Sequence, residues 1–150
     1  MFWLPHFVNI SIFKDYQYPK EIKWLLMGMT SNHYPLRQII KKHMINKKGF
    51  VYHRHPGYKN VNDQDSKIFV GRNYAKEINR AKMFFTDDSK FHYPFMKYYE
   101  VLACNTLLLA PANQELLDLG FKPGENFVEI TSPLSYKPNG FMAACIVDLK

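Results

Sequence analysis

Residues 82–124 read KMFFTDDSKFHYPFMKYYEVLACNTLLLAPANQELLDLGFKPG, two apolar runs separated by a polar turn and a helical stretch. Met83-Phe84-Phe85 is a short apolar run stopped by Thr86-Asp87-Asp88-Ser89, the pattern of a buried strand running into a polar turn. A helix from about Phe95 to Ala103 precedes a second apolar strand, Thr106 to Ala110. Leu116 to Leu119 reads as a short helix closed by Gly120, and Phe127 to Ile130 as a last strand.

The same alternation extends upstream. Ile22 to Met29 is an apolar run broken by Gly28 and followed by Thr30-Ser31-Asn32, a buried strand leading into a turn. Leu36, Ile39, Ile40 and Met44 recur at helical spacing. Pro35 suits the first turn of that helix, and Lys47, Lys48 and Gly49 suit its end. Phe50 to His53 is a short strand, His55 to Ser66 a polar loop, and Val70 to Ala81 a helix with Tyr74, Ile78 and Ala81 on one face. Residues 1–20, rich in aromatics and prolines, read as an opening strand and linker. Apolar strands alternating with helices predict an α/β fold with a parallel sheet covered on both faces. Such sheets bind ligands beyond the carboxyl ends of their strands, so chemistry is expected after Met27, His53, Phe85 and Ala110.

The 150 residues fit one domain, and 47% hydrophobic and 16% aromatic content argue against disorder. The formal charge of +7, from 20 Lys and Arg against 13 Asp and Glu, favours an anionic partner. No apolar run reaches the ~20 residues of a membrane span. The opening MFWLPHF is too short and lacks the basic start of a signal peptide. Cys104 and Cys145 make neither a disulfide framework nor a zinc quartet, and a cytoplasmic location is the expectation.

In its order of pieces the chain resembles the donor-site segment of GT-B-fold glycosyltransferases, in the C-terminal half of group 1-like members. In that family a strand ends near a Ser, and a helix bearing an EA-A-G pattern then leads to an apolar strand and a second Glu. Here the Ser is Ser89, the helix carries Glu100-Val101-Leu102-Ala103-Cys104-Asn105, the strand is Thr106 to Ala110, and the later carboxylate is Glu115. Trp3 to Phe13 looks like the interdomain linker, Lys23 to Gly28 like the first strand, and Phe127-Val128-Glu129 like the last, so the resemblance spans roughly residues 3–130. It implies a linker over 1–20, a Rossmann-like donor-binding domain over 21–132 and an atypical tail over 133–150. It further implies a metal-independent glycosyltransferase of the hexosyl type, with a nucleotide-diphosphate sugar as substrate and no separate cofactor. A complementary N-terminal acceptor domain or chain is expected as partner, the sequence looking truncated beside the family.

By resemblance Glu100 takes the ribose of the donor, since a carboxylate offers two acceptors to vicinal hydroxyls. Many retaining members place a second Glu eight positions earlier; that position is His92, a departure from the paired-carboxylate form. Asn105 replaces the usual Gly after the helix, and Asn tolerates left-handed backbone. The turn from Gly28 to Arg37 offers a helix N-terminus to the diphosphate, with Arg37 as the candidate cation. Arg54 is placed to reach a phosphate and Tyr58 to stack on the base. His53 and His55 share one strand face but lack a third ligand for a metal. Asp63-Gln64-Asp65, a D-x-D pattern, reads as a solvated turn. Two other classes compete: a nucleotide-sugar-binding domain without turnover, and a basic nucleic-acid binder using Lys41, Lys42, Lys47 and Lys48.

Overall fold

A computed structural model describes residues 6–57 and 67–130. Five strands form one sheet: β1 (Ile22–Met27), β2 (Phe50–His53), β3 (Ala81–Phe85), β4 (Leu107–Ala110) and β5 (Val128–Glu129). Four helices connect them: α1 (Pro35–Met44), α2 (Gly71–Asn79), α3 (Met96–Ala103) and α4 (Gln114–Asp118). All strand pairs are parallel and the order is β2-β1-β3-β4-β5, with Trp24 beside Phe50 on one flank and Met83 on the other.

Strand alternation sends the two halves of the core to opposite faces. Trp24 and Leu26 of β1 join Phe85 and Leu109 beneath Leu36, Ile40 and Met44 of α1. Leu25, Met27, Phe84, Leu108 and Ala110 face the other way, under Ala75 and Ile78 of α2, Tyr98 and Val101 of α3 and Leu116 of α4. The chain is therefore a doubly wound, Rossmann-like α/β sheet with helices on both faces, as the alternation predicts. Right-handed crossovers account for the split: stepping from β1 to β2 puts α1 on one face, and stepping back past β1 to β3 puts α2 on the other. No helix among the described residues is long and apolar enough to cross a membrane.

Four details depart from the sequence reading. Residues 6–20 form no strand; a turn near Ile12 is followed by extended chain tied to α2. Asn79 makes that tie, its buried amide donating to the carbonyl of Lys14 and accepting from the amide of Tyr16 at 2.7 Å. The helix expected over Val70 to Ala81 ends at Asn79, and Ala81 is already in β3 opposite Ile22. Thr106 precedes β4 rather than opening it, because its buried hydroxyl bonds the carbonyl of Ile78. Finally, α4 starts at Gln114 since Asn113 caps it, accepting from the amide of Leu116 at 2.9 Å.

Candidate functional site

The winding reverses between β1 and β3, so the connections leaving these two strands run to opposite faces of the sheet at its carboxyl edge, where doubly wound folds bind ligands. Gly28 leaves β1, Thr86 to Ser89 leave β3, and the first turns of α1 and α3 face the same edge. Of the residues singled out from the sequence, Gly28, Arg37, Ser89, His92 and Glu100 lie on these two connections or the helices they feed.

Arg37 is not a surface residue of α1. Its side chain is buried, with Nε 2.8 Å from Oδ1 of Asp87. Nη2 reaches Thr86 Oγ1 at 3.4 Å, and the guanidinium lies 4.1 Å from the centre of the Tyr34 ring. Burial pushes the Asp87 carboxyl above its ordinary pKa, and the Arg37 charge opposes that rise. The ion pair therefore ties the two connections together across the switch point, and Nη1 donates to the carbonyl of Met29 at 3.5 Å, next to Gly28.

Gly28 adopts φ +129°, a left-handed conformation that side chains rarely take. A Cβ there would stand 3.1 Å from Arg37 Nη1 and 3.6 Å from Lys97 Cε. Two cations thus converge on one backbone position. Lys97 escaped the sequence reading, although it precedes Glu100 by three residues and so shares its helix face. Its Nζ donates to Tyr74 Oη at 2.7 Å, and desolvation, then the Arg37 charge, push its pKa down to about 8 against the pull of Glu100 and Asp87. Burial raises the Tyr74 phenol well above its usual range, so it stays protonated.

Glu100 is 8% exposed on α3, and its carboxylate accepts no hydrogen bond among the described residues. Desolvation raises its pKa, with Lys97 pulling the other way. Its oxygens are not among the fully enclosed polar atoms left without a partner, so solvent or a ligand can reach them. Asn105, just past the helix, takes φ +52°, the left-handed turn its side chain allows.

The β3–α3 connection is tightly folded. Ser89 and His92 both have positive φ, +61° and +53°. Ser89 is buried and its hydroxyl accepts from the amide of Phe91 at 3.1 Å, so it holds the loop. His92 points outward, its Nδ1 2.8 Å from Oδ2 of the buried Asp88.

The β2–α2 connection contributes differently from the sequence reading. Arg54 is exposed, whereas half-buried His55 feels both cations: burial first, then Lys97 and Arg37, lower its pKa. Its Nδ1 accepts from the amide of Gly57 at 3.0 Å. His53 is held by the buried Glu77 at 2.8 Å and packs on Phe69. Tyr58, Asp63 and Asp65 lie outside the described residues. Among the described residues no three His, Cys, Asp or Glu side chains gather as a metal site.

A two-cation crevice beside a buried carboxylate, on a doubly wound sheet, suits an anionic ligand carrying hydroxyl groups. No curated protein shows significant similarity to the chain. The family model described as glycosyl transferase-like matches residues 35–137, more than half the chain, from the start of α1 past β5. The chain belongs to the glycosyl transferase-like family.

Proposed function

We propose that the switch-point crevice binds a nucleoside-diphosphate sugar in the manner of the donor half of a GT-B glycosyltransferase, for transfer of the sugar to an acceptor held by a complementary domain or chain. The observation that carries this reading is the convergence of Arg37 and Lys97 on Gly28, one helical turn from the largely buried Glu100.

Each part has a physical role. Lys97 is the phosphate contact: its charge is opposed by burial and by Arg37, and a diphosphate restores it. Arg37, buried and fixed by Asp87, supplies positive field. The side-chain-free Gly28 lets the diphosphate approach the backbone. Glu100, largely buried on α3, accepts from the ribose hydroxyls. His92 faces the sugar, while His55 and Arg54 line the way to the base. As the C1–oxygen bond of the donor breaks, charge grows on the diphosphate where Arg37 and Lys97 already stand, so little reorganisation is needed. Water exclusion by a covering domain directs the sugar to the acceptor rather than to hydrolysis. The role requires no metal in this reading, because the cations replace one.

A thermal-shift panel of UDP, GDP, ADP and CMP tests this. One nucleoside diphosphate is expected to raise the Tm of the wild type, and Glu100→Ala to abolish most of that rise while leaving the ligand-free Tm within a few degrees. If no nucleotide stabilises the wild type, or if Glu100→Ala responds like it, the site is misassigned. Mixing the bound chain with candidate acceptor-domain proteins and assaying transfer then separates an enzyme from a binding domain.

A further inference from the structure

We propose that the end of α1 and the turn into β2 form a docking surface for an anionic lipid bilayer, separate from the carboxyl-edge site and independent of what that site binds. The observation behind it is a segregation of charge. Residues 22–57, from β1 through α1 to just past β2, contain seven Lys and Arg and no Asp or Glu. That leaves 13 of the 20 Lys and Arg to balance 13 Asp and Glu in the rest of the chain, so the whole +7 sits in the unit that ends on the edge strand β2. Arg37 is buried against Asp87, and Arg54 stands at the carboxyl end of β2. The other five cations, Lys23, Lys41, Lys42, Lys47 and Lys48, gather towards the opposite edge of the sheet.

Their placement follows from the backbone. Leu36, Arg37, Ile40 and Met44 turn into the protein, which leaves Lys42 and Ile45 on the outer side of the helix end, both exposed. Lys41 lies over the Tyr52 ring, with Nζ 4.2 Å from its centre. Lys47 and Lys48 are exposed in the turn that closes on β2, where the amide of Phe50 donates to the carbonyl of Lys47 at 3.1 Å. A Cβ at Gly49 would stand 3.0 Å from that of Lys23, so Lys23 borders the same turn. Lys41, Lys42, Lys47 and Lys48 form no ion pair among the described residues, whereas Arg80 and Lys122 elsewhere on the surface do. The helix macrodipole accounts for cations in the last turn of α1, but it falls off within that turn. It explains neither Lys47 and Lys48 nor the lack of any carboxylate in the unit. Like charges gathered without protein counter-ions favour an anionic surface. Two features select a bilayer over a nucleic acid. Ile45, 49% exposed, lies between Lys42 and Lys47 in the chain, an apolar side chain for the headgroup region while the lysines meet phosphates. No Phe, Tyr or Trp occurs over residues 38–49 for bases to stack on, and the rings of Trp24 and Tyr52 lie under Lys23 and Lys41. At about 1.5 Å per residue the two ends of α1 are roughly 15 Å apart, so a bilayer can hold this end and leave the carboxyl edge open.

Sedimentation of the full chain with vesicles tests this, using phosphatidylcholine alone and phosphatidylcholine with about a third phosphatidylglycerol. At about 0.1 M salt the wild type is expected to bind the anionic vesicles only, and to be released at about 0.5 M as screening shortens the reach of its charges. Lys42→Gln, Lys47→Gln and Lys48→Gln together are expected to weaken binding ~30-fold or more, since each lysine beside an anionic surface contributes up to about five-fold. Lys14→Gln, Lys76→Gln and Lys122→Gln together remove the same charge at exposed positions outside the unit, and are expected to weaken it less than ~3-fold. Ile45→Ser is expected to bind vesicles several-fold more weakly, with its Tm within a few degrees of wild type. The proposal is overturned if the wild type ignores anionic vesicles, if the two triple variants lose affinity alike, or if Ile45→Ser binds vesicles like wild type. It is equally overturned if an RNA or DNA oligonucleotide at matched phosphate concentration strips the chain from the vesicles. Nucleotide binding at the carboxyl edge is measured without vesicles, so the donor reading and this one fail separately.

Discussion

Lys97 and Arg37 hold like charges on either side of Gly28, and that repulsion gives the site a pH signature. The folded pKa of Lys97, about 8, lies below its unfolded value of 10.5. Between these values the unfolded chain binds more protons, so the contribution of Lys97 to folding stability rises with pH across that window. Anion binding runs the opposite way, because the charge that attracts the phosphate is lost as pH rises through about 8. Calorimetric titration with a nucleoside diphosphate is therefore expected to show weaker binding at pH 9 than at pH 7, with net proton uptake near pH 8. Lys97→Met should lose this dependence and bind ~10-fold or more weakly, while its ligand-free stability at pH 7 is no lower than wild type. A second residue-scale expectation concerns Gly28. Alanine there combines a disfavoured φ with a 3.1 Å approach to Arg37, and urea unfolding should show a loss of about 1–3 kcal/mol. Arg37 was legible as a cation near this turn, but its burial against Asp87 was not, since that pair is 50 residues apart in sequence. Lys97 shares a helix face with Glu100, yet spacing alone says nothing about which helix face is desolvated. The Asp88–His92 contact has helical i,i+4 spacing but forms in a loop, through two positive-φ residues that no periodicity announces.

Elements were more legible than contacts. β2 matches its sequence bounds, Phe50 to His53, and α1 begins at the expected Pro35, because apolar runs and a helix-starting proline are local signals. Element ends were set instead by side chains reaching across the fold, as with Asn79, Thr106 and Asn113. Asn113 serves two elements at once, capping α4 through Oδ1 and bracing the His92 loop through Nδ2. Asn113→Ala is expected to cost about 1 kcal/mol in denaturant unfolding for the lost cap. Asn113→Asp, which keeps the accepting oxygen but not the amide donor, should retain most of that stability. Faster amide exchange at Phe91 to Tyr93 in the Asp variant would mark the brace separately from the cap.

At the scale of the whole molecule, the alternation of strands and helices defines the fold class, and the strand order then decides where the site is. Reversal between β1 and β3 brings together groups from α1, α2, α3 and three connections that are dispersed along the chain. The glycosyl transferase-like family model spans α1 to β5. In the proposed donor site, a ribose is read through Glu100 next to a diphosphate. The most direct test is a four-way calorimetric comparison of wild type and Glu100→Ala, each with the selected nucleoside diphosphate and with its 2′,3′-dideoxy analogue. Wild type is expected to bind the dideoxy analogue ~10–100-fold more weakly, as for hydrogen bonds to a charged group, and Glu100→Ala to bind the two alike. An equal penalty for the analogue in both proteins would rule out Glu100 as the ribose contact.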